Sequence, residues 1–333
     1  MDINDTTVNG TVVPLNNFHC NHSTQTLVTR VLPPVMITEL VVGLPGNLVA
    51  LWIFWFCMQG WRPNAIFLFN LVLADCLLLI SMPFRINYLL ASENWAFGGA
   101  FCRVNLFMLA VNRSASIAFM TAVAVDRYFK VVHPHHCVNR MSPQQAWKVA
   151  VGMWAVVIGL RAPLLATQLM KVGKTSLCRS FDSYTKPPPA IVLHNLVFAL
   201  EFFLPLLLLI FCSARIACIL RQRNLDRENK VRRAIRTVGI IVLVFLVCFG
   251  PGVFTGLLGI YYSRYRKSDC KGYSLVTQLF SLSIGFTYLN SALDPIIYCF
   301  SSSMFRNALK GSINRLGVAN LQLSRRGSLT SDT

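Results

Sequence analysis

FCRVNLFMLAVNRSASIAFMTAVAVDRY, residues 101–128, is the stretch that decides the fold. It is mostly apolar and long enough, as a helix, to cross the hydrocarbon core of a bilayer. A charge at bilayer depth is costly, so Arg113 near the middle of this segment indicates a function. Arg127, flanked by Asp126 and Tyr128, follows after about 21 Å of helix. One predicted helix therefore carries a cation in the outer half of the membrane and another at its inner edge.

The composition indicates a membrane protein. The 333 residues are 54% hydrophobic and 13% charged, whereas soluble proteins carry about 25% charged residues. A net charge of +18 would also suit nucleic-acid binding, but the basic residues fall mostly in loops between apolar segments. The first 30 residues are polar and show no cleavable signal peptide, so we expect the first apolar segment to act as the targeting signal.

Seven apolar segments predict an all-α membrane protein, a bundle of seven transmembrane helices. They lie at about residues 32–57, 64–90, 99–131, 146–168, 190–220, 234–262 and 274–299.

Glycosylation sequons at Asn4, Asn9 and Asn21 favour an extracellular N-terminus. With alternating loops, 18 Lys and Arg residues fall on the inner side and ten on the outer side, which agrees with the positive-inside rule. The basic outer loops are either simply solvated or provide a field that concentrates anionic ligands.

The predicted organisation has four parts. They are an extracellular glycosylated N-terminus at 1–30, the bundle at 31–300, an amphipathic helix at 301–316 and a cytoplasmic tail at 317–333. In the third part Phe305, Leu309 and Ile313 share one face at helical spacing, which suits the inner membrane surface. In the tail, Ser328 follows Arg325-Arg326-Gly327 and is a candidate phosphorylation site for a basophilic kinase.

Each apolar segment also carries polar or helix-breaking residues. The set comprises Gly46-Asn47, Leu71-Val72-Leu73-Ala74-Asp75, Asp126-Arg127-Tyr128, Trp154, Pro205, Cys248-Phe249-Gly250-Pro251, and Asn290-Ser291 with Asp294-Pro295-Ile296-Ile297-Tyr298. In this order the set resembles the rhodopsin-like (class A) G-protein-coupled receptors over about residues 30–315. Two positions depart from the common pattern of that family. Phe249 stands where most members have Trp, and Asp294 stands where most have Asn.

The resemblance implies a polar cluster that holds a sodium ion in the inactive state. Its members here would be Asp75, Asn47, Ser116, Asn290 and Asp294. A buried carboxylate requires a cation or a proton, which fits that role. The alternative is a cluster that is held together by hydrogen bonds alone. No other cofactor is expected.

The resemblance also implies a conformational switch at the inner end. Its residues would be Asp126, Arg127, Tyr128, Phe249, Pro251 and Tyr298. Asp126 would restrain Arg127 until the sixth helix swings out, and Tyr298 would be the partner from the seventh helix. Taken alone, the triplet could equally be an interfacial charge pair that reaches to water.

A closer resemblance is to the hydroxycarboxylic acid and oxoeicosanoid receptors. It rests on stretches such as Leu106-Phe107-Met108-Leu109-Ala110 with Asn112-Arg113, Glu201-Phe202-Phe203-Leu204-Pro205 and Phe286-Thr287-Tyr288-Leu289-Asn290. It implies that Arg113 binds the carboxylate of the ligand, helped by Tyr288 and Ser180. The planar guanidinium suits such a bidentate contact. The alternative is a structural arginine paired with Glu201, the acidic residue at comparable depth.

The ligand is suggested by two positions. Hydroxycarboxylic acid receptors carry a second basic residue in the sixth helix, where this chain has Gly256, and this chain instead has Arg85 after Pro83. That pattern is similar to the oxoeicosanoid receptor, so we expect an oxo- or hydroxy-eicosanoid, with Arg85 assisting. The alternative is a small acid such as lactate, hydroxybutyrate or nicotinate. Arg161 has no place in this pattern and either lines the pocket or reaches outward.

The resemblance further pairs Cys102 with Cys178 and Cys20 with Cys270. It implies a plasma-membrane receptor that binds a G protein of the Gi/o class and arrestin, and that lowers cyclic AMP.

Two other classes of protein are the alternatives to a receptor. An organic anion transporter would also hold intramembrane charges, but many transporters show paired repeats, which this sequence lacks. A membrane enzyme is disfavoured because the sequence shows neither a nucleophile–base pair nor an HExxH motif.

Overall fold

The computed structural model describes residues 26–58, 60–172, 176–179, 188–222, 228–266, 269–302, 304–312 and 314. Seven long helices lie within these ranges: α1 (Thr26–Trp52), α2 (Pro63–Leu90), α3 (Gly98–Val132), α4 (Pro143–Arg161), α5 (Pro189–Gln222), α6 (Glu228–Tyr265) and α7 (Cys270–Ser301). All seven predicted segments are helices.

Six spans in the described part of the chain, α1 to α6 with their short extensions, are long and apolar enough to cross a membrane. The last helix, α7, has the length, at 32 residues, but a more polar sequence. Its polar side chains, among them Ser283, Asn290, Ser291 and Asp294, are buried, because α7 packs against α1, α2 and α6. Intramembrane polar residues of this kind normally face the interior of a bundle.

Helix ends follow from local sequence. Pro63 occupies the first turn of α2, where its missing N–H is not needed. Ser142 and Gln145 form a capping box at the start of α4, and α4 ends at Arg161, two residues before Pro163 begins a separate helical turn, Pro163–Ala166. Asp269 caps α7 by accepting a hydrogen bond from the Gly272 N–H.

After α7, helical backbone resumes over 304–312, where the amphipathic helix is predicted. Phe305 is buried against the bundle and contacts the rings of Phe54 and Tyr298. The side chain of Ile313 lies outside the described residues, so the full apolar face stays a prediction. Phe305 joins the buried core, so this segment packs against the inner end of the bundle.

A two-stranded hairpin, β1 (Met170–Val172) and β2 (Ser176–Cys178), lies between α4 and α5. These strands are not predicted from the sequence. The predicted disulfide between Cys102 and Cys178 is confirmed and ties the hairpin to α3.

We call the end of the bundle that carries the hairpin the outer end, as predicted, and the opposite end the inner end. Cys270 is also disulfide-bonded; its predicted partner Cys20 lies outside the described residues, as do Asn4, Asn9, Asn21, Ser180 and Ser328.

Candidate functional site

A cavity of about 550 Å³ of empty space lies in the outer half of the bundle, between α3, α4, α5, α6 and α7. Its polar lining consists of Arg113, Arg161, His194, Ser283 and Thr287. The rest of the wall is apolar or glycine: Leu106, Leu109, Ala110, Phe198, Phe249, Gly252, Phe280 and Ile284. A mostly apolar cavity with a few convergent polar groups is the usual form of a small-molecule site.

Arg113 lies on the α3 side of the cavity and is 6% exposed. Its guanidinium carbon lies 3.7 Å from the ring centre of Phe198 on α5 and 5.9 Å from that of Phe249 on α6. Both terminal nitrogens of Arg113 are buried and have no hydrogen-bond partner in the described part of the chain. Stacking on an aromatic face holds the planar fork in place and leaves its N–H donors for a bound acceptor.

Arg161, unexplained by the sequence, lines the same cavity at the end of α4 and is 1% exposed. Its Nη2 forms an ion pair with the Glu201 carboxylate of α5. Its Nε donates to the Ser114 hydroxyl at 3.0 Å, and its Nη1 donates to Nδ1 of His194 at 2.9 Å. Of the two alternatives, Arg161 therefore lines the pocket. The signal available in the sequence was an arginine and a glutamate at similar depth in neighbouring spans.

The pairing of Glu201 decides the charge of the cavity. Glu201 forms its ion pair with Arg161 and attracts Arg113 only from a longer distance, so the structure does not show the alternative in which Glu201 pairs with Arg113. His194 accepts from an arginine, which can only donate, so its ring is neutral with the proton on Nε2. Among the described lining residues, Arg113 is therefore the cation without a carboxylate partner. The cavity is matched to one negative charge.

Arg85, predicted to assist ligand binding, does not line this cavity. Its Nη1 donates to the backbone carbonyl of Cys178 at 3.0 Å, and its guanidinium lies 4.7 Å from the ring centre of Tyr88. The structure thus places Arg85 as a support of the hairpin. Proximity to Pro83 could not reveal this, because the carbonyl it binds lies 93 residues further along the chain.

Tyr288, also predicted to assist, is fully buried in an apolar cluster that includes Leu32 and Met36 of α1 and Leu79 of α2. The neighbouring Thr287 lines the cavity instead. Successive residues of a helix point in directions about 100° apart, so a shift of one position along α7 exchanges the cavity for the packed interface. The structure therefore does not place the Tyr288 side chain at the ligand cavity.

The hairpin is fastened to the loop that follows α2. The backbone N–H of Trp95 donates to the Ser176 carbonyl at 2.8 Å. Nη2 of Arg179 lies 2.6 Å from Oε1 of Glu93. Glu93 is 3% exposed and has a φ of 63°, a left-handed backbone that is uncommon outside glycine. Burial disfavours the charged form of Arg179, but the interactions with Glu93 and Tyr88 together outweigh this, and the pKa of Arg179 is raised. A charged latch between Glu93 and Arg179 therefore holds the hairpin to the loop that follows α2.

Gly256 supports the apolar character of the opposite wall. A side chain at this position would lie 3.2 Å from the rings of both Phe198 and Phe280, closer than ordinary van der Waals contact. The absence of a side chain lets these two rings approach each other, with centroids 6.4 Å apart. At this position the chain therefore has an aromatic contact beside the helix and no side chain of its own.

The predicted polar cluster lies at the middle of the bundle. Asp75 Oδ1 accepts from the Ser291 hydroxyl at 2.7 Å, and Asp75 Oδ2 accepts from the Tyr298 hydroxyl at 2.7 Å. Asn290 donates to Asp294 at 2.9 Å. The Ser116 hydroxyl and one oxygen each of Asn290 and Asp294 are buried with no hydrogen-bond partner in the described part of the chain. Carboxylate, hydroxyl and amide oxygens are suitable donors for a sodium ion, so these residues fit the group that the resemblance implies.

The inner end departs from the predicted switch in one respect. Arg127 lies 3.6 Å from Asp126, as expected for the restraining pair, and Lys130 lies 2.8 Å from the same carboxylate. Tyr298, predicted as the partner of Arg127, instead donates to Asp75 and lies 3.2 Å from Asn47 Oδ1. Its hydroxyl has one proton, and the buried carboxylate is the stronger acceptor.

The remaining switch residues lie on α6, or on α3 beside Arg127. Phe249 lines the ligand cavity, and Pro251 lies inside α6, where its ring removes a backbone hydrogen bond and makes a hinge. Tyr128 directs its hydroxyl to His133, 3.2 Å away. At the inner end, Thr237 of α6 donates to the Phe300 carbonyl of α7 at 3.1 Å. The helix that contacts the cavity is thus also held at its inner end.

Comparison with known proteins agrees with this architecture. The model of the family described as 7 transmembrane receptor (rhodopsin family) matches residues 46–298. The chain is 46% identical to rat hydroxycarboxylic acid receptor 2 over 86% of its length and 79% of that receptor. It is 41% identical to human oxoeicosanoid receptor 1 over 86% of its length and 73% of that receptor. It is 34% identical to the mouse 12-(S)-hydroxy-5,8,10,14-eicosatetraenoic acid receptor over 87% of its length and 91% of that receptor. The chain therefore belongs to the rhodopsin family of seven-transmembrane receptors.

Proposed function

We propose that this chain is a receptor for a monocarboxylate with a long apolar tail, most simply an oxo- or hydroxy-eicosanoid. The observation that carries the proposal is Arg113, a buried guanidinium whose terminal nitrogens have no partner in the described part of the chain. A buried cation of this kind is costly unless an anion joins it. A ligand carboxylate would supply that anion in bidentate geometry.

The charge and shape of the cavity support one carboxylate and an apolar tail. Glu201 already neutralises Arg161, so a dianion would leave one charge unmatched. Aromatic and aliphatic side chains make up most of the remaining wall, and the Gly256 side is closed by the Phe198–Phe280 contact. Human oxoeicosanoid receptor 1 and the mouse 12-(S)-hydroxy-5,8,10,14-eicosatetraenoic acid receptor are named after eicosanoids, which have this combination of groups.

A small hydroxycarboxylic acid is the second candidate. The observation that favours it is the 46% identity with rat hydroxycarboxylic acid receptor 2, together with Arg161 and His194, whose polar atoms border the same cavity. A compact acid would use these groups in place of an apolar tail pocket. The two candidates share the Arg113 anchor and differ in which wall selects the ligand.

Signalling would follow from differential binding. A ligand shifts the receptor only if it binds the active arrangement more tightly than the inactive one. Phe249 lies on α6 and lines the cavity, and Pro251 two residues away provides the hinge. We propose that outward movement of α6 at the inner end exposes Arg127 to a G protein of the Gi/o class, with arrestin as a second partner, at the plasma membrane. A sodium ion held by Asp75, Ser116, Asn290 and Asp294 would favour the inactive arrangement.

The test is inhibition of cyclic AMP formation in cells that express the chain, with and without pertussis toxin. The panel contains oxo- and hydroxy-eicosanoids beside lactate, hydroxybutyrate and nicotinate. We expect a toxin-sensitive response to the long acids. In Arg113→Gln the potency should fall by about 100-fold, as for loss of one partner of a buried charge pair. Arg85→Gln, with equal surface expression, is the matched control and should change potency far less.

Each outcome has a defined meaning. A response to small acids alone would keep Arg113 as the anchor and replace the eicosanoid with the second candidate. Equal potency of Arg113→Gln and the unmodified receptor would overturn the anchor. A response that is insensitive to the toxin would overturn the Gi/o assignment alone.

A further inference from the structure

A second groove lies on the outside of the bundle at its inner end, between α3 and α5, and does not share a lining residue with the Arg113 cavity. It holds about 790 Å³ of empty space and is lined by Val125, Tyr128, Phe129, His133, His136, Leu208, Phe211 and Cys212. Leu208 and Phe211 are 40% and 50% exposed, so the groove opens sideways. In a chain that spans the membrane, this direction faces the acyl chains of the bilayer.

The loop after α3, which borders the groove, is held by hydrogen bonds. Asn139 donates to the carbonyls of Phe129, His133 and Pro134 at 2.8–3.2 Å, which fixes the loop after α3. The Tyr128 hydroxyl lies 3.2 Å from Nε2 of His133. The ring of His136 stacks on Phe129, with centroids 4.6 Å apart. Two imidazoles are therefore held at the inner rim of an otherwise apolar groove.

The hydrogen bond of His136 determines what this ring offers. Its Nδ1 accepts from the Val138 N–H at 3.3 Å, so the neutral ring carries its proton on Nε2. His136 is exposed, and Nε2 is thus a donor at the rim. An imidazole N–H of this kind suits a phosphate or carboxylate oxygen.

Arg215 adds a positive charge on the same side of the groove. It follows Phe211 by four residues and Cys212 by three, the spacing of neighbours on one helix face. It is exposed and lies about 6 Å nearer the inner end than Phe211 along α5. The apolar groove is therefore bordered on its inner side by a guanidinium and imidazoles, at the depth of lipid head groups.

We propose that this groove binds one anionic phospholipid of the inner leaflet, with an acyl chain against Phe129, Leu208 and Phe211 and its head group at Arg215 and His136. Basic pockets next to transmembrane helices on the cytoplasmic side commonly bind such head groups, and the apolar wall buries a chain that a soluble anion lacks. The lipid contacts Tyr128, the neighbour of Arg127, so its binding is coupled to the state of the inner end of α3.

The test uses purified receptor in nanodiscs of phosphatidylcholine doped with a phosphatidylserine that carries a photoactivatable group in its acyl chain. We expect labelling in peptides that contain residues 125–129 and 208–212. Labelling by the same probe with a phosphocholine head should be at least about fivefold weaker, the factor for about 1 kcal/mol per basic side chain at an anionic surface. Arg215→Gln and His136→Gln should each lower the phosphatidylserine labelling towards the phosphatidylcholine level.

Two matched variants keep this test interpretable. Lys148→Gln removes an exposed basic residue of α4 outside the groove and should leave labelling unchanged. Leu208→Trp fills the groove with a larger apolar side chain and should abolish labelling while ligand binding at the Arg113 cavity persists. Equal labelling by both head groups would show ordinary annular lipid and overturn the proposal, as would equal effects of Lys148→Gln and Arg215→Gln. If both head groups label the groove equally and added G protein removes this labelling, the groove belongs to the G-protein interface and the proposal is overturned.

Discussion

The outer cavity and the central polar cluster both contain a buried charged residue that the sequence singles out, yet the two charges are satisfied differently. Both oxygens of Asp75 accept hydrogen bonds from α7, through Ser291 and Tyr298. Neither terminal nitrogen of Arg113 donates to any described residue. A charge that the chain itself satisfies links helices together, whereas a charge without a partner favours a ligand. The cluster is therefore suited to hold a conformation, and the cavity to receive a signal.

The largest expected effect concerns the second arginine of the cavity. Glu201→Gln leaves Arg161 buried without its carboxylate, and breaking a buried ion pair from one side typically costs about 3–5 kcal/mol of folding free energy. We expect a large fall in the midpoint of thermal unfolding of the purified receptor. This variant would turn Arg161 into a second unmatched cation and so remove the difference between the two arginines.

The control for this experiment is the double variant Arg161→Gln with Glu201→Gln. It removes both charges of the pair and should recover much of the lost stability, because neither position then holds an unpaired charge. Equal destabilisation in the single and double variants would show that Arg161 and Glu201 do not act as a pair.

The sequence predicted the helices and the polar positions because both are local properties. Apolar length defined the seven spans, and single residues such as Arg113 and Asp75 stood out against that background. The sequence could not predict which of two arginines Glu201 neutralises, because this depends on how α4 and α5 pack. The same holds for Arg85, which binds a carbonyl on the hairpin, and for Tyr298, which lies beside Asp75 and not Arg127. Side-chain direction across helices is set by tertiary packing, and one sequence gives little information on it.

A smaller effect is expected at the central cluster. If sodium binds the oxygens of Ser116, Asn290 and Asp294 together with Asp75, then sodium should weaken agonist binding by about tenfold, within the usual range of allosteric coupling. Asp75→Asn removes one negative charge, and we expect it to abolish the sodium effect. Agonist affinity measured with potassium in place of sodium is the control. Persistence of the sodium effect in Asp75→Asn would mean that this cluster is held by hydrogen bonds alone.

The smallest expected effect concerns the latch between Glu93 and Arg179 that holds the hairpin. Glu93→Gln replaces the ion pair with Arg179 by a neutral contact, while the Cys102–Cys178 disulfide and the Trp95–Ser176 bond remain. Loss of about 1 kcal/mol, the typical net value of one hydrogen bond, corresponds to about fivefold faster ligand dissociation if the latch must open for release. The dissociation rate of a radiolabelled agonist measures this directly.

The same latch should be insensitive to pH. Burial opposes the charge of Arg179, but the interactions with Glu93 and Tyr88 together outweigh it, so the pKa of Arg179 is raised. A raised arginine pKa means that the contribution of the pair is lost only in strongly alkaline solution. The dissociation rate of the unmodified receptor should therefore stay constant from neutral to mildly alkaline pH.

The control for Glu93→Gln is Asp269→Asn, which alters an outer acidic residue that caps α7. Asp269→Asn should not accelerate release of the ligand. Equal acceleration by Asp269→Asn and Glu93→Gln would show that outer negative charge in general, and not the latch, governs how long the ligand stays bound.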